Sequence, residues 1–219
     1  MLRGWIVDGT RPNAPWTLTF TGNAGTAQSM LGIAMWFARR TGSTTVLWDY
    51  RGSGFSDGRP SIAATRDDAV RVYDAVRARS PGVPVLYGPS FGSTIAVHVA
   101  TVRPSRALVL HAAPASAPRL FGDFRDNHLP WFMHRLRPVP TRAIREDFDL
   151  VREVRTVRAP TIVLHGTADA LIPIAEGRAV EAAAGARTKR FVALPGVDHP
   201  VINYDTPGGD ALVAFLAAI

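Results

Sequence analysis

The chain has 219 residues, 47% of them apolar and 20% charged, which is one domain's worth of sequence with enough material for a core and too apolar for global disorder. Its 25 basic and 18 acidic residues give a formal charge of +7, but no run of five or six like charges marks a nucleic-acid surface. Cysteine is absent, which excludes disulfides, thiolate metal sites and a cysteine nucleophile.

The first residues contain no apolar stretch long enough for a signal peptide, and no later run approaches the ~18–20 residues of a membrane span. A cytoplasmic protein without a membrane span is expected. Residues 5–8 can form an antiparallel edge strand. Short β-rich runs follow at 16–21, 44–49, 83–88, 106–111, 161–165 and 190–194. Between them, and after the last, helical patterns occupy 27–40, 61–79, 91–101, 174–184 and 205–219. In the second of these Ala69, Val70, Tyr73 and Val76 recur at helical steps, Ser61 can cap the start, and Asp67 can pair with Arg71. Such alternation predicts a mostly parallel sheet of about seven strands with helices on both faces, in a single domain over 1–219. Residues 114–156 break the pattern. They are rich in proline and carry Phe121, Phe124, Trp131 and Phe132, too apolar for a simple loop. They are expected to form a small lid insertion over the sheet.

The run from Val83 enters Gly88-Pro89-Ser90-Phe91-Gly92, where a strand meets a helix. This is the nucleophile-elbow pattern: the glycines allow close approach, and the serine hydroxyl is exposed beside helix N-terminal N–H groups that can stabilise an oxyanion. A second Gly-x-Ser-x-Gly, Gly54–Gly58 around Ser56, opens no helix and reads as a tight loop.

A serine nucleophile needs a base, and the base an orienting acid. Of the six histidines, His98 lies within a helix, His111 and His165 end strands and could line a cleft but read as structural, and His128 and His134 fall in the insertion. His199 lies in the loop after the last strand, where a parallel sheet places ligands, and is the candidate base. Asp169, in the loop after the run 161–165, is the candidate acid. Asp198 is the alternative, although sequence neighbours orient each other poorly. The order Ser90, Asp169, His199 is that of the α/β-hydrolase elbow enzymes.

With the segments 20–25, 49–56, 88–92 and 165–173 and the terminal His199, the chain resembles the α/β-hydrolase superfamily over nearly its full length. It looks closest to the serine-aminopeptidase-like, lipase-like and acyl-thioesterase branch. The resemblance implies an oxyanion hole formed by backbone N–H groups of Asn23, with Ala24 as the near alternative, and of Phe91. Thr21-Gly22 stands where the family usually has His-Gly. It implies no cofactor and no metal, and it leaves Asp49 and Arg51 without a catalytic role. The expected activity is a serine hydrolase acting on a small-molecule ester or thioester. An acyltransferase or cyclase-like biosynthetic enzyme, or a non-catalytic binder on the same fold, are the alternatives. The sequence does not set the oligomeric state.

Overall fold

The runs Val85–Pro89 and Ala107–His111 are buried at every position, the pattern of parallel strands covered on both faces. The computed structural model describes residues 1–23, 25–116, 149–199 and 205–219. Among them seven strands form one sheet: β1 (Gly4–Val7), β2 (Thr17–Thr19), β3 (Thr45–Trp48), β4 (Val85–Pro89), β5 (Ala107–His111), β6 (Thr161–Gly166) and β7 (Lys189–Leu194). Their order is β1-β3-β2-β4-β5-β6-β7, and every pairing is parallel except β1 with β3. The expected sheet, with its antiparallel first strand, is what the chain forms.

The described helices are α1 (Leu31–Thr41), α2 (Ile62–Arg77), α3 (Phe91–Val102), the one-turn α4 (Leu150–Glu153), α5 (Ile174–Ala183) and α6 (Pro207–Ala217). Alternating strand side chains divide the core in two. On one face Leu18, Leu86, Leu108 and Val163 pack with Tyr73 of α2, Ile95 of α3, Leu150 of α4 and Val180 of α5. On the other, Leu47, Tyr87, Val109 and Leu164 meet Trp36 and Phe37 of α1 and Leu212 and Phe215 of α6.

Local chemistry sets the helix ends. Extended Ser61 caps α2 by accepting the Ala64 N–H at 3.4 Å, and Pro207 occupies the first turn of α6, where its missing N–H costs nothing. The expected Asp67–Arg71 pair does not form. Arg71 lies 3.8 Å from Asp68, whose buried carboxylate also takes a two-pronged contact from Arg51 at 2.6 and 2.7 Å. Asp68 points inward to that guanidinium, and Arg71 follows the charge.

Of the insertion expected at 114–156, only the flanks fall among the described residues. Ser116 bridges Asp149, the Val151 N–H reaches the Ala115 carbonyl at 3.2 Å, and Leu150 and Val154 are fully buried. Phe121, Phe124, Trp131, Phe132, His128 and His134 lie outside the described residues. No helix among the described residues is long and apolar enough to cross a membrane.

β2 has β3 on one side and β4 on the other, so sheet-building reverses direction between β2 and β4. A crevice at such a switch, beyond the carboxyl ends of the strands, is where open α/β sheets bind ligands. The loops after β2 and β4 flank it.

Candidate active site

β4 ends at Pro89 and α3 begins at Phe91, so Ser90 alone makes the reversal. It adopts φ 50° and ψ −127°, a conformation that costs a residue with a side chain about 1–3 kcal/mol. Its surroundings impose the geometry. The Ser90 N–H donates to the His111 carbonyl at 2.8 Å, and the flanking glycines leave no room for side chains. A Cβ on Gly88 would stand 2.3 Å from the Gly92 carbonyl oxygen, and one on Gly92 only 2.2 Å from that of Phe20. The hydroxyl is thereby presented at the N-terminus of α3, the positive end of the helix dipole.

Ser56 is used otherwise. It is 7% exposed, donates to the Asp49 carbonyl at 2.7 Å and accepts the Arg3 N–H at 2.9 Å, tying its loop to the start of β1.

His199 brings the distant candidates together. Its Nε2 lies 3.1 Å from Ser90 Oγ and its Nδ1 2.8 Å from Asp169 Oδ2. Asp169 Oδ1 accepts the Leu171 and Ile172 N–H groups at 3.0 and 2.7 Å. Burial opposes ionisation of this carboxyl. Hydrogen bonds from His165, His199 and the Ile172 N–H outweigh it and hold the carboxyl well below the usual carboxylate range. An ionised Asp169 can only accept, so the His199 proton sits on Nδ1 and Nε2 is left to accept from the Ser90 hydroxyl.

Asp198 does not contact the imidazole through any hydrogen bond of its own. Its Oδ1 accepts the Ala170 N–H at 3.2 Å and the His199 N–H at 2.7 Å. With the Ala168 N–H on the Val197 carbonyl at 3.1 Å and the Gly196 N–H on Thr167 Oγ1 at 2.9 Å, it stitches the loop of Asp169 to the loop of His199.

Two histidines at strand ends pack beside this site. His165 is fully buried, with Nε2 2.8 Å from the Ile172 carbonyl and 3.5 Å from Asp169 Oδ2. A carbonyl only accepts, so Nε2 carries the proton and steadies the turn that holds Asp169. The one available signal was the four-residue spacing of His165 and Asp169 across a strand end.

His111 is buried beside them. Burial first, then neighbouring His165 and His199, push its imidazole down to about 4 in spite of nearby Asp169. Unfolded, the same side chain titrates near ~6.5. Between these values the unfolded chain binds more protons, so stability from neutral His111 is complete above ~6.5. It is lost as pH falls towards 4, by roughly 3 kcal/mol. The Asp169 contribution runs lower, disappearing only below the unfolded carboxylate value of ~3.9. Urea unfolding at pH 7 and pH 4.5 should therefore show a smaller acid loss in His111→Gln than in wild type. Equal losses would contradict this account of His111.

The turn after β2 lies against the same serine. The Gly25 N–H closes on the Gly22 carbonyl at 3.1 Å, and a Cβ on Gly22 would stand 3.6 Å from Ser90 Cβ. Asn23 is exposed within this turn, and Ala24 lies outside the described residues. Phe91 is the first residue of α3, where N–H groups lack intrahelical acceptors. Two cavities of about 550 and 610 Å³ open at the other end of the sheet around Arg106, remote from this chemistry. Among the described residues no cluster of three or more histidine or acidic side chains could hold a metal ion.

The model of the serine aminopeptidase family, S33, matches residues 17–147. The Mycobacterium tuberculosis protein Rv2307c is 31% identical over 204 residues, covering 90% of this chain and 68% of that protein. Est1E from Butyrivibrio proteoclasticus, solved with ferulic acid bound, superposes with a TM-score of 0.80 at 16% identity, over 99% of this chain and 94% of that one. The monoacylglycerol lipase of Paleococcus ferrophilus superposes with a TM-score of 0.72 at 15% identity, over 99% of both chains. At these identities the two structures share the fold.

Proposed function

Because the chain belongs to the serine aminopeptidase S33 family of α/β-hydrolases, and is thus a hydrolase, we propose that it cleaves an ester or thioester through an acyl-enzyme on Ser90. The observation that carries this reading is the position of His199, within hydrogen-bond reach of both Ser90 and Asp169. Ser90 Oγ attacks the acyl carbonyl as His199 Nε2 takes its proton. Asp169 holds the Nδ1–H tautomer and stabilises the imidazolium that forms. The negative oxygen of the tetrahedral intermediate is bound by the backbone N–H groups of Asn23 and Phe91. His199 then returns the proton to the departing alkoxide or thiolate, and water, activated by the same histidine, releases the acid. The lipase among the structural neighbours is the ground for an ester over an amide.

A panel of p-nitrophenyl esters, acyl thioesters and matched anilides tests the bond class. Saturable turnover of an ester or thioester series, with anilides at least ~100-fold slower, is expected because the activated leaving groups need little protonation assistance. Anilide turnover without ester or thioester turnover would overturn the reading.

A further inference from the structure

The turn against Ser90 is fastened from outside by a residue in the loop after β3. Tyr50 donates its hydroxyl to the Thr21 carbonyl at 2.9 Å. Burial pushes its phenol well above the ordinary value, so it remains a neutral donor. Its ring meets the Phe91 ring edge-on with centroids 6.2 Å apart, and Trp48 backs it at 5.0 Å. Thr21 is buried, and its carbonyl is held by the Tyr50 hydroxyl. The same carbonyl passes close over Gly92, where a Cβ would stand 2.7 Å from it. Asp49, next to Tyr50, accepts the Ala27 N–H at 2.7 Å. The segment 21–27 is thus pinned at both ends by two consecutive residues, and Asn23 lies between the pins.

We propose that Tyr50 is a positioning residue of the oxyanion hole, its hydroxyl holding Thr21 and its ring holding Phe91 so that the two backbone donors keep their spacing. This rests on the reading of Ser90 as nucleophile and of Asn23 and Phe91 as donors. Such donors act on charge that develops only in the transition state. Loosening them should lower kcat and leave KM alone, whereas a general loss of structure would reduce stability without that split.

Tyr50→Phe keeps the ring and deletes the donor. On a p-nitrophenyl ester its kcat should fall about tenfold at unchanged KM, less than the ~10²–10³ lost when a donor is removed outright. Affinity for a trifluoromethyl ketone, which mimics the tetrahedral oxyanion, should fall by the same factor. Tyr50→Leu, which also withdraws the ring from Phe91, should lose more on both readouts. Tyr73 supplies a matched control, since its hydroxyl also binds a backbone carbonyl, that of Pro104, away from the site. Tyr73→Phe should lower Tm and leave kcat and ketone affinity unchanged. Wild-type kcat and ketone affinity in Tyr50→Phe, with Ser90→Ala inactive, would overturn the role of Tyr50 alone. Activity retained in Ser90→Ala would overturn it together with the nucleophile assignment.

Discussion

Replacing Ser90 with alanine is expected to lower kcat about 10⁶-fold while leaving the protein folded, the scale of loss when a triad serine is removed. The fold should survive because the elbow is imposed by features that alanine keeps. These are the close contacts of Gly88 and Gly92 and the Ser90 N–H bond to His111. Among the described residues the hydrogen bond lost is the 3.1 Å contact with His199. Ser56→Ala should behave in the opposite way. It breaks two hydrogen bonds, one to the Asp49 carbonyl within its own loop and one from the Arg3 N–H just before β1, at roughly 1–3 kcal/mol of stability, and should retain most activity. Steady-state kinetics and thermal melts of the two variants check both halves of the expectation.

Asp169→Asn should cost about 10⁴-fold in kcat, because an amide in this place fixes the wrong tautomer. The Leu171 and Ile172 N–H groups need an acceptor and will select the amide oxygen, at Oδ1. The NH₂ group then faces His199 Nδ1, which must accept, and the ring proton moves to Nε2, where it can no longer take the proton of Ser90. Combined with Ser90→Ala the loss should be little worse than Ser90→Ala alone, since the residues act as one unit. Asp198→Asn keeps an amide oxygen for the Ala170 and His199 N–H groups and should lose far less. A harmless Asp169→Asn with a crippling Asp198→Asn, measured on the same ester, would reassign the acid.

Much of this molecule was legible before its structure. Buried parallel strands leave apolar runs such as Val85–Leu86–Tyr87, and the helices between them carry their own periodicity and caps. Ser90 was distinguishable from Ser56 because a strand precedes one and a helix follows it. His199 and Asp169 are legible as candidates from the rule that loops at strand ends hold ligands, and the structure brings the two side chains together beside Ser90. What escaped depends on which strands are neighbours. Tyr50 reaches Thr21 only because β3 lies beside β2, with Leu18 opposite Val46. Nothing in the spacing of 29 positions reports that adjacency. His165 reads as structural and Asp198 as the poorer acid, but the backbone groups that hold them belong to loops folding back on them, which the spacing does not report. Arg71 chose Asp68 over Asp67 because a guanidinium from another loop had already drawn that carboxylate inward. The aromatic residues of the expected lid, Phe121, Phe124, Trp131 and Phe132, fall outside the described residues.

The central claim is that Ser90, activated by His199, is the nucleophile. A fluorophosphonate probe followed by intact-mass and peptide analysis tests it without knowledge of the substrate. The wild-type protein should take up a single adduct, on the peptide that contains Ser90, and His199→Ala should label far more slowly. Equal labelling of wild type and Ser90→Ala, or an adduct on Ser56, would contradict the account.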